Sequence, residues 1–282
     1  MLKLITWNIQ SGRSLSGGTD LDRIIGCLER FSDFDVLCLQ EVACGYTAGD
    51  GSASGDQFAG LAARLPGYAA ARAVALETTD AERRRLLGNM IFSRFPVLQV
   101  LRHSLPWPPD AAVMSMPRVA LEATLDTPLG LLAVTCTHLE YFSERQRCAQ
   151  VERLRELHRE GRAHAHCKRP GAAAGPFAAV PRAPEAIVAG DFNMLPDSAE
   201  HLRLTAPFGD ATASLHDAWR LAQPGRRHAP TVGLHDDSPG AGIPFTFDYA
   251  FVSAGLAPRV ARVRVDASEG GSDHQALLVE LA

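Results

Sequence analysis

The 282-residue sequence lacks any uninterrupted apolar run of the roughly 18 or more residues that would predict a membrane-spanning helix. It also lacks an excess of basic residues, because 28 Lys and Arg stand against 32 Asp and Glu and give a net charge of −4. This balance excludes the strongly basic chain typical of a dedicated nucleic-acid binder, although a local basic groove stays compatible with it. No cationic leader with an apolar segment and a cleavage site is visible at the start, so we expect no secretion.

The six cysteines show no CxxC pairing. In a chain of this length, such cysteines are typical of reduced thiols, and we predict a cytoplasmic protein. Cys38 and Cys136 lie inside apolar runs, where a free cysteine packs as a small hydrophobic residue, so we expect both in the core. Several histidines match no motif and are predicted to face solvent, namely His103, His158, His164, His166 and His228.

Short runs rich in Val, Ile, Leu and Phe predict strands at residues 2–7, 36–39, 89–92, 119–125, 131–137, 186–189, 247–252 and 276–281. Amphipathic spacing predicts helices at residues 20–31 and 145–159, and weaker patterns mark 56–64 and 216–221. Strands and helices mixed along the whole chain indicate an α/β fold. Two segments crowded with Gly, Pro and Ala or His, residues 161–185 and 220–244, are predicted loop excursions.

Polar residues suited to metal and phosphate chemistry stand where the apolar runs finish. Asn8 follows LITW, Glu41 follows VLCLQ, and His138 follows AVTCT. Asp191 and Asn193 follow IVAG, and the pair formed by residues 273 and 274 precedes the last predicted strand. Because ligand sites of open α/β sheets lie outside strand ends, these side chains are predicted to converge in one crevice.

Eight segments in order extend this pattern over the chain: TWNIQ (6–10), LQEV (39–42), GNMIFSRFPV (88–97), PRVALEATL (117–125), THL (137–139), AGDFN (189–193), FDYAFVS (247–253) and SDH (272–274). In content and order they resemble the endonuclease/exonuclease/phosphatase superfamily, which includes deoxyribonucleases, abasic-site endonucleases, sphingomyelinases and inositol polyphosphate 5-phosphatases. The resemblance implies that residues 1–282 form one domain, an α/β fold with two β-sheets packed face to face and helices outside.

The resemblance also implies a metal site. Glu41 is the expected principal ligand, with Asn8 beside it and Asp273 as a further carboxylate at or near the ion. Carboxylate and amide oxygens suit Mg²⁺ or Mn²⁺, which keep several waters and share a substrate phosphate. Taken by itself, Glu41 is equally interpretable as a solvated carboxylate at a strand end.

Asp191 and Asn193 resemble the family pair that positions or deprotonates the attacking water. Two positions apart, they can project to one side of an extended segment, although GDFN also fits an Asx-stabilised turn without chemistry. The resemblance also implies that His274 pairs with Asp248, as in the family's His–Asp dyad, and a carboxylate on one ring nitrogen fixes the tautomer of the imidazole. Whether Asp191 or His274 is the general base stays open at this stage.

His138 and Arg118 are expected to donate to phosphate oxygens as charge builds during in-line displacement, and Asn89 to line the crevice. Arg118, between a proline and an apolar strand, also fits a surface ion pair.

The predicted activity is metal-dependent hydrolysis of a phosphodiester, with DNA or RNA as the leading substrate. Arg147, Arg155 and residues 83–85 are the charges outside the site that we expect to follow a nucleic-acid backbone. A small phosphoester or a lipid phosphodiester is the alternative, and residues 105–109 form an apolar loop suited to the latter. A catalytically silent binding protein is a further alternative that the complete set of polar positions argues against, and no protein partner is predicted.

Overall fold

The computed structural model describes residues 1–14, 18–46, 55–80, 83–167, 170, 171, 175, 177–235 and 242–282. The strands are β1 (Leu2–Asn8), β2 (Val36–Cys44), β3 (Ala69–Asp80), β4 (Arg83–Ser93), β5 (Val97–Ser104), β6 (Val119–Thr127), β7 (Gly130–His138), β8 (Glu185–Asp191), β9 (Leu215–Asp217), β10 (Asp248–Ser253), β11 (Val260–Val265) and β12 (Leu277–Leu281). The α-helices are α1 (Leu21–Phe31), α2 (Gln57–Arg64), α3 (Glu144–His166), α4 (Ala199–Thr205) and α5 (Ala218–Ala222). None of the described helices is both long and apolar enough to cross a membrane.

The described strands form two six-stranded mixed sheets. The first has the order β11-β12-β1-β2-β4-β3, and the second has the order β5-β6-β7-β8-β10-β9. In the first sheet, β1 runs parallel to β2 and antiparallel to β12. In the second sheet, β8 runs parallel to β7 and antiparallel to β10. Parallel neighbours end at the same edge of a sheet, so β1 with β2, and β7 with β8, each bring their final residues together.

Alternation along the strands divides the apolar residues between the middle of the molecule and its outer layers. Leu4 of β1 and Val134 of β7 belong to the core between the sheets, whereas the neighbouring Ile5 packs outward beneath α1 and α2. A third apolar cluster lies between the second sheet, for example Phe251, and the helices α3 and α4. This is the predicted face-to-face arrangement with helices outside.

Side-chain caps begin all five α-helices. Asp20, Asp56, Ser143, Ser198 and Asp217 each accept hydrogen bonds from backbone N–H groups of the first turn of the helix that follows. These bonds satisfy donors that the helix itself leaves unpaired. The helix predicted at residues 216–221 begins two residues later, at residue 218. Residues 215–217 form β9 instead, because they pair with β10.

Four strands escaped prediction: β3, β5, β9 and β11. β3 is rich in Ala, which has low strand propensity, and both β3 and β5 lie at a sheet edge with many exposed positions. The predicted strand 36–39 continues to Cys44 past a register shift between Leu39 and Val42.

The predicted excursions 161–185 and 220–244 are partly helical. The first six residues of the former belong to α3, which ends at His166, and residues 220–222 belong to α5. Residues 168–169, 172–174, 176 and 236–241 lie outside the described residues.

Cys38 and Cys136 are buried between the sheets, as predicted. The prediction that His158 and His228 face solvent is wrong, because His158 and the side chain of His228 are each only 7% exposed; His158 packs on Phe208 and His228 on Trp219.

Candidate active site

The strand ends of the two sheets meet in one place. In the second sheet, the register sets His138 and Asp248 on either side of Asp191, because β7 and β10 flank β8. In the first sheet, Asn8 ends β1, and its Nδ2 reaches across to Oδ2 of Asp191 at 3.0 Å. The site therefore spans the junction between the two sheets, and it gathers residues that are more than 200 positions apart in the chain.

Glu41 occupies an irregular position in β2. Its φ is +56°, in the left-handed region that non-glycine residues rarely adopt, and it falls in the register shift between Leu39 and Val42. A β-bulge of this kind redirects a side chain out of the regular alternation of the strand. Here Oε1 of Glu41 accepts a hydrogen bond of 3.0 Å from Nδ2 of Asn8.

Asn8 bridges two carboxylates through its nitrogen. Nδ2 donates to both Glu41 and Asp191, while Oδ1 accepts from the backbone N–H of Gln10. An amide binds a cation through oxygen, and the hydrogen bond from Gln10 leaves this oxygen one lone pair. The geometry makes Asn8 a link between the two carboxylates, and its predicted place beside the metal stays a prediction.

Gln10 was missed, although it is the last letter of the TWNIQ segment. Its Nε2 donates to Oδ2 of Asp273 at 2.7 Å, and its backbone binds Asn8. The hydroxyl of Ser272 shares its one proton between the carbonyl of Asn8 at 2.9 Å and Oδ1 of Asp273 at 3.1 Å. Gln10 and Ser272 therefore fix the C-terminal SDH segment against the end of β1.

Asp191 and Asn193 form a closed turn. The N–H of Asn193 donates to Oδ1 of Asp191 at 2.9 Å, and the φ of Asn193 is +49°. The extended geometry that we predicted is therefore wrong, and the Asx turn is present. It still points both side chains at His138, whose Nε2 lies 3.0 Å from Nδ2 of Asn193 and 3.4 Å from Oδ2 of Asp191. Gly190 makes the approach possible, since a Cβ there would stand 1.9 Å from the carbonyl oxygen of Thr137.

His274 lies between two buried carboxylates. Its Nδ1 is 2.8 Å from Oδ2 of Asp248, and its Nε2 is 3.7 Å from Oδ2 of Asp191. Its own carbonyl accepts from the indole N–H of Trp7 at 2.9 Å, which anchors the residue to β1. The predicted pairing of His274 with Asp248 is thus present in the structure.

Burial and charge set the protonation of these groups. Burial favours the neutral form of His274, but the charges of Asp248 and Asp191 outweigh it and raise the pKa of His274 to about 10. Burial raises the pKa of Asp191 to about 7, with Asp248 adding to the shift and His274 opposing it. Burial, helped by the positive charges of Arg118 and His274, holds the pKa of His138 well below its usual range.

Arg118 is buried, so the alternative of a surface ion pair is excluded. Its Nε donates to Oε2 of Glu140 at 3.2 Å, and the carboxylate of Glu140 is completely buried. Glu140 also accepts from the backbone of Met116 and Phe142, so it fastens the loop before β6 to the segment after β7. Sequence reasoning missed Glu140, which directly follows the THL segment.

Arg118 shares a small pocket with Glu41, His138 and Asn89. Asn89 donates through Nδ2 to the carbonyl of Val119 at 3.0 Å and is almost fully buried. Asn89 is one of the residues that line this pocket, and its nitrogen holds the start of β6.

The charges of the site favour a divalent cation. Four carboxylates, Glu41, Asp191, Asp248 and Asp273, face two cationic groups, Arg118 and His274, since His138 is held neutral. Among the described residues, Glu41 and Asp273 belong to no group of three ligating side chains whose donor atoms lie within 4.8 Å. A hard ion held by one or two carboxylates, with water and substrate phosphate completing its shell, fits this arrangement.

The model of the Endonuclease/Exonuclease/phosphatase family matches residues 5–274. The chain belongs to this family. Members of the endonuclease/exonuclease/phosphatase family hydrolyse phosphoester bonds and depend on divalent metals, and the chain is accordingly placed among phosphoester hydrolases. No curated protein matches the chain.

Solved structures of the endonuclease/exonuclease/phosphatase family share this fold. A family member from Beutenbergia cavernae is 25% identical with a TM-score of 0.67, and the match covers 100% of this chain and 72% of that one. A mannosyl-6-phosphatase from Bacteroides thetaiotaomicron is 19% identical with a TM-score of 0.68 and full coverage of both chains. Truncated TDP2 from Caenorhabditis elegans is 20% identical with a TM-score of 0.59, covering 100% of this chain and 97% of that one.

Two arginines expected to follow a nucleic-acid backbone are unavailable for that task. Arg155 is buried and donates to four carbonyls at the C-terminal end of α4, those of Arg203, Leu204, Ala206 and Pro207. Arg147 pairs with Glu200 at 2.7 Å and donates to the carbonyls of residues 140 and 141. Both guanidinium groups are used within the fold, so the prediction was wrong for these two residues.

Proposed function

We propose that the protein is a Mg²⁺- or Mn²⁺-dependent phosphodiesterase that cleaves its substrate by in-line attack of an activated water. The observation that carries the proposal is the convergence on Oδ2 of Asp191, which lies within 3.7 Å of Nδ2 of Asn8, Nε2 of His138 and Nε2 of His274. One carboxylate oxygen surrounded by three nitrogens from both sheets is a suitable acceptor for a water proton.

In this mechanism, Asp191 accepts the proton of the water as its oxygen bonds to phosphorus, the opposite P–O bond breaks, and the departing oxygen takes a proton from solvent. Asn193 holds His138 in place. His274, oriented by Asp248, and His138 stabilise the negative charge that develops on the phosphate oxygens. Arg118, held through its Nε by Glu140, directs the rest of its guanidinium group to the same oxygens. A bound divalent ion, held by Glu41 with Asp273 nearby, would supply Lewis-acid stabilisation of the phosphate.

An aromatic surface beside the site supports nucleic acid as the leading substrate. We call Tyr141, Phe142, Phe245 and Phe247 the aromatic rim; their rings contact one another at centroid distances of 4.6–6.1 Å. Tyr141 and Phe142 are each about half exposed, and Phe247 immediately precedes Asp248. Exposed rings next to a phosphate site suit the stacking of unpaired bases, which tolerates many sequences.

A lipid phosphodiester is the second candidate, because the loop before β6 also exposes apolar side chains. Met114 is 73% exposed and Trp107 is 50% exposed, and Nε1 of Trp107 donates to the hydroxyl of Ser115.

We also propose that residues 1–282 form one domain, since β1 and β12 pair in one sheet. The predicted cytoplasmic location is supported by the six free cysteines.

The deciding experiment compares single-stranded DNA and RNA, glycerophosphocholine, phospholipid vesicles and phosphorylated sugars as substrates with Mg²⁺ or Mn²⁺. Nucleic acid should be the best substrate, and replacing Tyr141 and Phe142 by Ala should raise KM for it while leaving glycerophosphocholine turnover unchanged. Asp191→Asn allows binding to be measured without cleavage. Preferred turnover of vesicles over nucleic acid would select the lipid alternative, and no hydrolysis of any of these would refute the proposed function.

A further inference from the structure

A second group of ligating side chains lies away from the active site, on the opposite face of β10. His201 comes from α4, Asp217 from the start of α5, and His228 from the segment that follows α5. The rings of both histidines contact Tyr249, which points to the helix side of β10, whereas the neighbouring Asp248 points to the active site. The group therefore joins three separate chain segments on the outer side of the second sheet.

The three donors converge on one oxygen. Nε2 of His201 lies 2.9 Å from Oδ2 of Asp217, and Nε2 of His228 lies 2.7 Å from the same atom. All three donor atoms lie within 4.8 Å of one another. The side chains of His201, Asp217 and His228 are only 1%, 2% and 7% exposed. A buried group with two imidazole nitrogens and one carboxylate oxygen is the donor set that Zn²⁺ uses.

The hydrogen bonds around the group leave these donors available. Oδ1 of Asp217 accepts from the backbone N–H groups of Trp219 and Arg220, which fixes the carboxylate and leaves Oδ2 for the cluster. Without an ion, Nε2 of His201 donates to Oδ2 of Asp217, and Nδ1 has no partner in the described part of the chain that would stop it from taking the proton instead. The tautomer with a lone pair on Nε2, which a metal requires, is therefore open to this ring.

The surrounding charge also permits a cation. Arg220 is the nearest positive group, with its Nε 3.8 Å from Oδ2 of Asp217, and its Nη2 is paired with Asp197 at 2.5 Å. The two carboxylates outweigh the single guanidinium group, so the local charge before any ion binds is negative. Trp219 stacks on His228, and Tyr249 and Phe251 pack on His201, so aromatic rings enclose the group except on the side of His228, whose side chain is 7% exposed.

We propose that His201, Asp217 and His228 bind one Zn²⁺ ion in a structural site, with water as the fourth ligand on the side of His228. A tetrahedral ion with bonds of about 2.0–2.1 Å separates its ligands by roughly 3.3 Å, so the donors move apart by about half an ångström on binding. This inference is independent of the proposed activity, because none of the three residues takes part in it.

The zinc site would fix the segment after His228, which contains Thr231 and contacts the active-site strand β10. Past His228, the hydroxyl of Thr231 accepts from the backbone N–H of Asp248 at 3.2 Å, and its carbonyl accepts from the N–H of Gln275 at 2.8 Å. A zinc ion joining α4, α5 and this segment would therefore restrict Thr231 and stabilise the folded state in proportion to its occupancy.

The test uses Co²⁺ as a spectroscopic probe in Glu41→Gln protein, where the principal ligand of the catalytic site has been removed. We expect one Co²⁺ per chain with the visible absorption of a tetrahedral ion, displaced by Zn²⁺, and a Tm that rises with Zn²⁺ concentration. Adding His228→Gln, which retains an amide donor for Asp217, should weaken binding by more than about a hundredfold. The control His216→Gln, one residue from Asp217 on the other face of β9, should leave binding unchanged.

A further variant keeps the test decisive if His228→Gln does not fold. His228→Cys should bind Co²⁺ through a thiolate and add a sulfur-to-metal charge-transfer band, which a group joined only by hydrogen bonds cannot show. Absence of tetrahedral Co²⁺ in Glu41→Gln protein would overturn the proposal. So would equal binding with and without His228→Gln, or a cysteine variant without the charge-transfer band.

Discussion

The imidazole of His274 and the carboxylate of Asp248 are joined at 2.8 Å, with both side chains buried, although the residues are 26 positions apart in the chain. Asp248 begins β10, whereas His274 is the last residue of the SDH segment before β12, so the contact joins the two sheets. Oδ1 of Asp248 is buried without a partner among the described residues, which leaves Oδ2 as the atom that orients the ring.

This pair predicts a non-additive pattern of catalytic loss. His274→Ala should lower kcat by about three orders of magnitude or more, and Asp248→Asn should cost less, because the ring persists but its orientation is relaxed. The double variant should be little slower than His274→Ala alone. Steady-state kinetics measures the cycle, with the exposed Asp210→Asn as the carboxylate control. Strictly additive losses would show that Asp248 does not act through His274.

Removal of the charge of Glu41 should abolish metal-dependent turnover. Glu41→Gln keeps an oxygen that can accept from Asn8, so it tests the charge with little disturbance of the bridge. We expect EDTA to stop wild-type hydrolysis, Mg²⁺ or Mn²⁺ to restore it, and the variant to need at least tenfold more metal for any activity. Glu29→Gln, an exposed carboxylate on α1, is the matched control. A variant with normal metal dependence would remove Glu41 from this role.

Arg118 and Glu140 should affect catalysis and stability together. Arg118→Ala removes a phosphate donor and leaves the buried carboxylate of Glu140 without its ion partner, so kcat should fall about 10²-fold and the free energy of unfolding by about 3 kcal/mol. Glu140→Gln retains an acceptor for Nε of Arg118 and should lower kcat less. Denaturant unfolding and kinetics on the same preparations separate the two effects, and a fully stable, inactive Arg118→Ala protein would contradict the structural part.

Arg155 should matter for stability and not for nucleic-acid binding. Its guanidinium group donates to four carbonyls at the C-terminal end of α4 and lies 4.1 Å from the ring centroid of Phe208. Arg155→Met should lower the free energy of unfolding by about 2–4 kcal/mol, because buried acceptors lose a charged donor. The salt dependence of DNA binding by Asp191→Asn protein should be the same with and without this change. A flatter salt slope would restore Arg155 as a phosphate contact.

Buried His158 should make the folded state less stable in mild acid. Burial lowers the pKa of His158, and the positive charges of Arg162 and Arg155 add to this shift, while the carbonyl of Ala213 and the charge of Glu185 oppose it. The folded pKa therefore lies below the unfolded value of 6.5, so the unfolded state binds the proton first. The stability that neutral His158 provides is complete above pH 6.5 and is lost as pH falls below it.

The measurement compares unfolding at several pH values between 7 and 5 for wild type and His158→Gln, whose amide can still donate to the carbonyl of Ala213. The wild-type curve should fall more steeply, by up to about 1.4 kcal/mol per pH unit for one proton. Parallel curves for the two proteins would show that His158 titrates alike in both states.

The sequence alone was enough for the fold class and for the family resemblance. The eight segments and their order along the chain can be read without knowing how the side chains pack, and they carry the family resemblance. The most regular strands and helices were also predictable, because burial of one face imposes a period of 2 on a strand and 3.6 on a helix. Edge strands such as β3 and β5 were missed, since exposed positions relax that pattern.

Only the tertiary structure decided which atoms meet. Asn8 presents nitrogen to Glu41 because the backbone of Gln10 takes its oxygen, and no spacing in TWNIQ predicts this choice. The guanidinium group of Arg155 donates to carbonyls that lie about 50 positions away, so the prediction from its charge alone was wrong. The groups around Asp217 converge from segments that are distant in sequence. The period of the apolar residues indicates which face of a helix or strand is buried. Hydrogen-bond partners depend on long-range contacts, which a single sequence does not reveal.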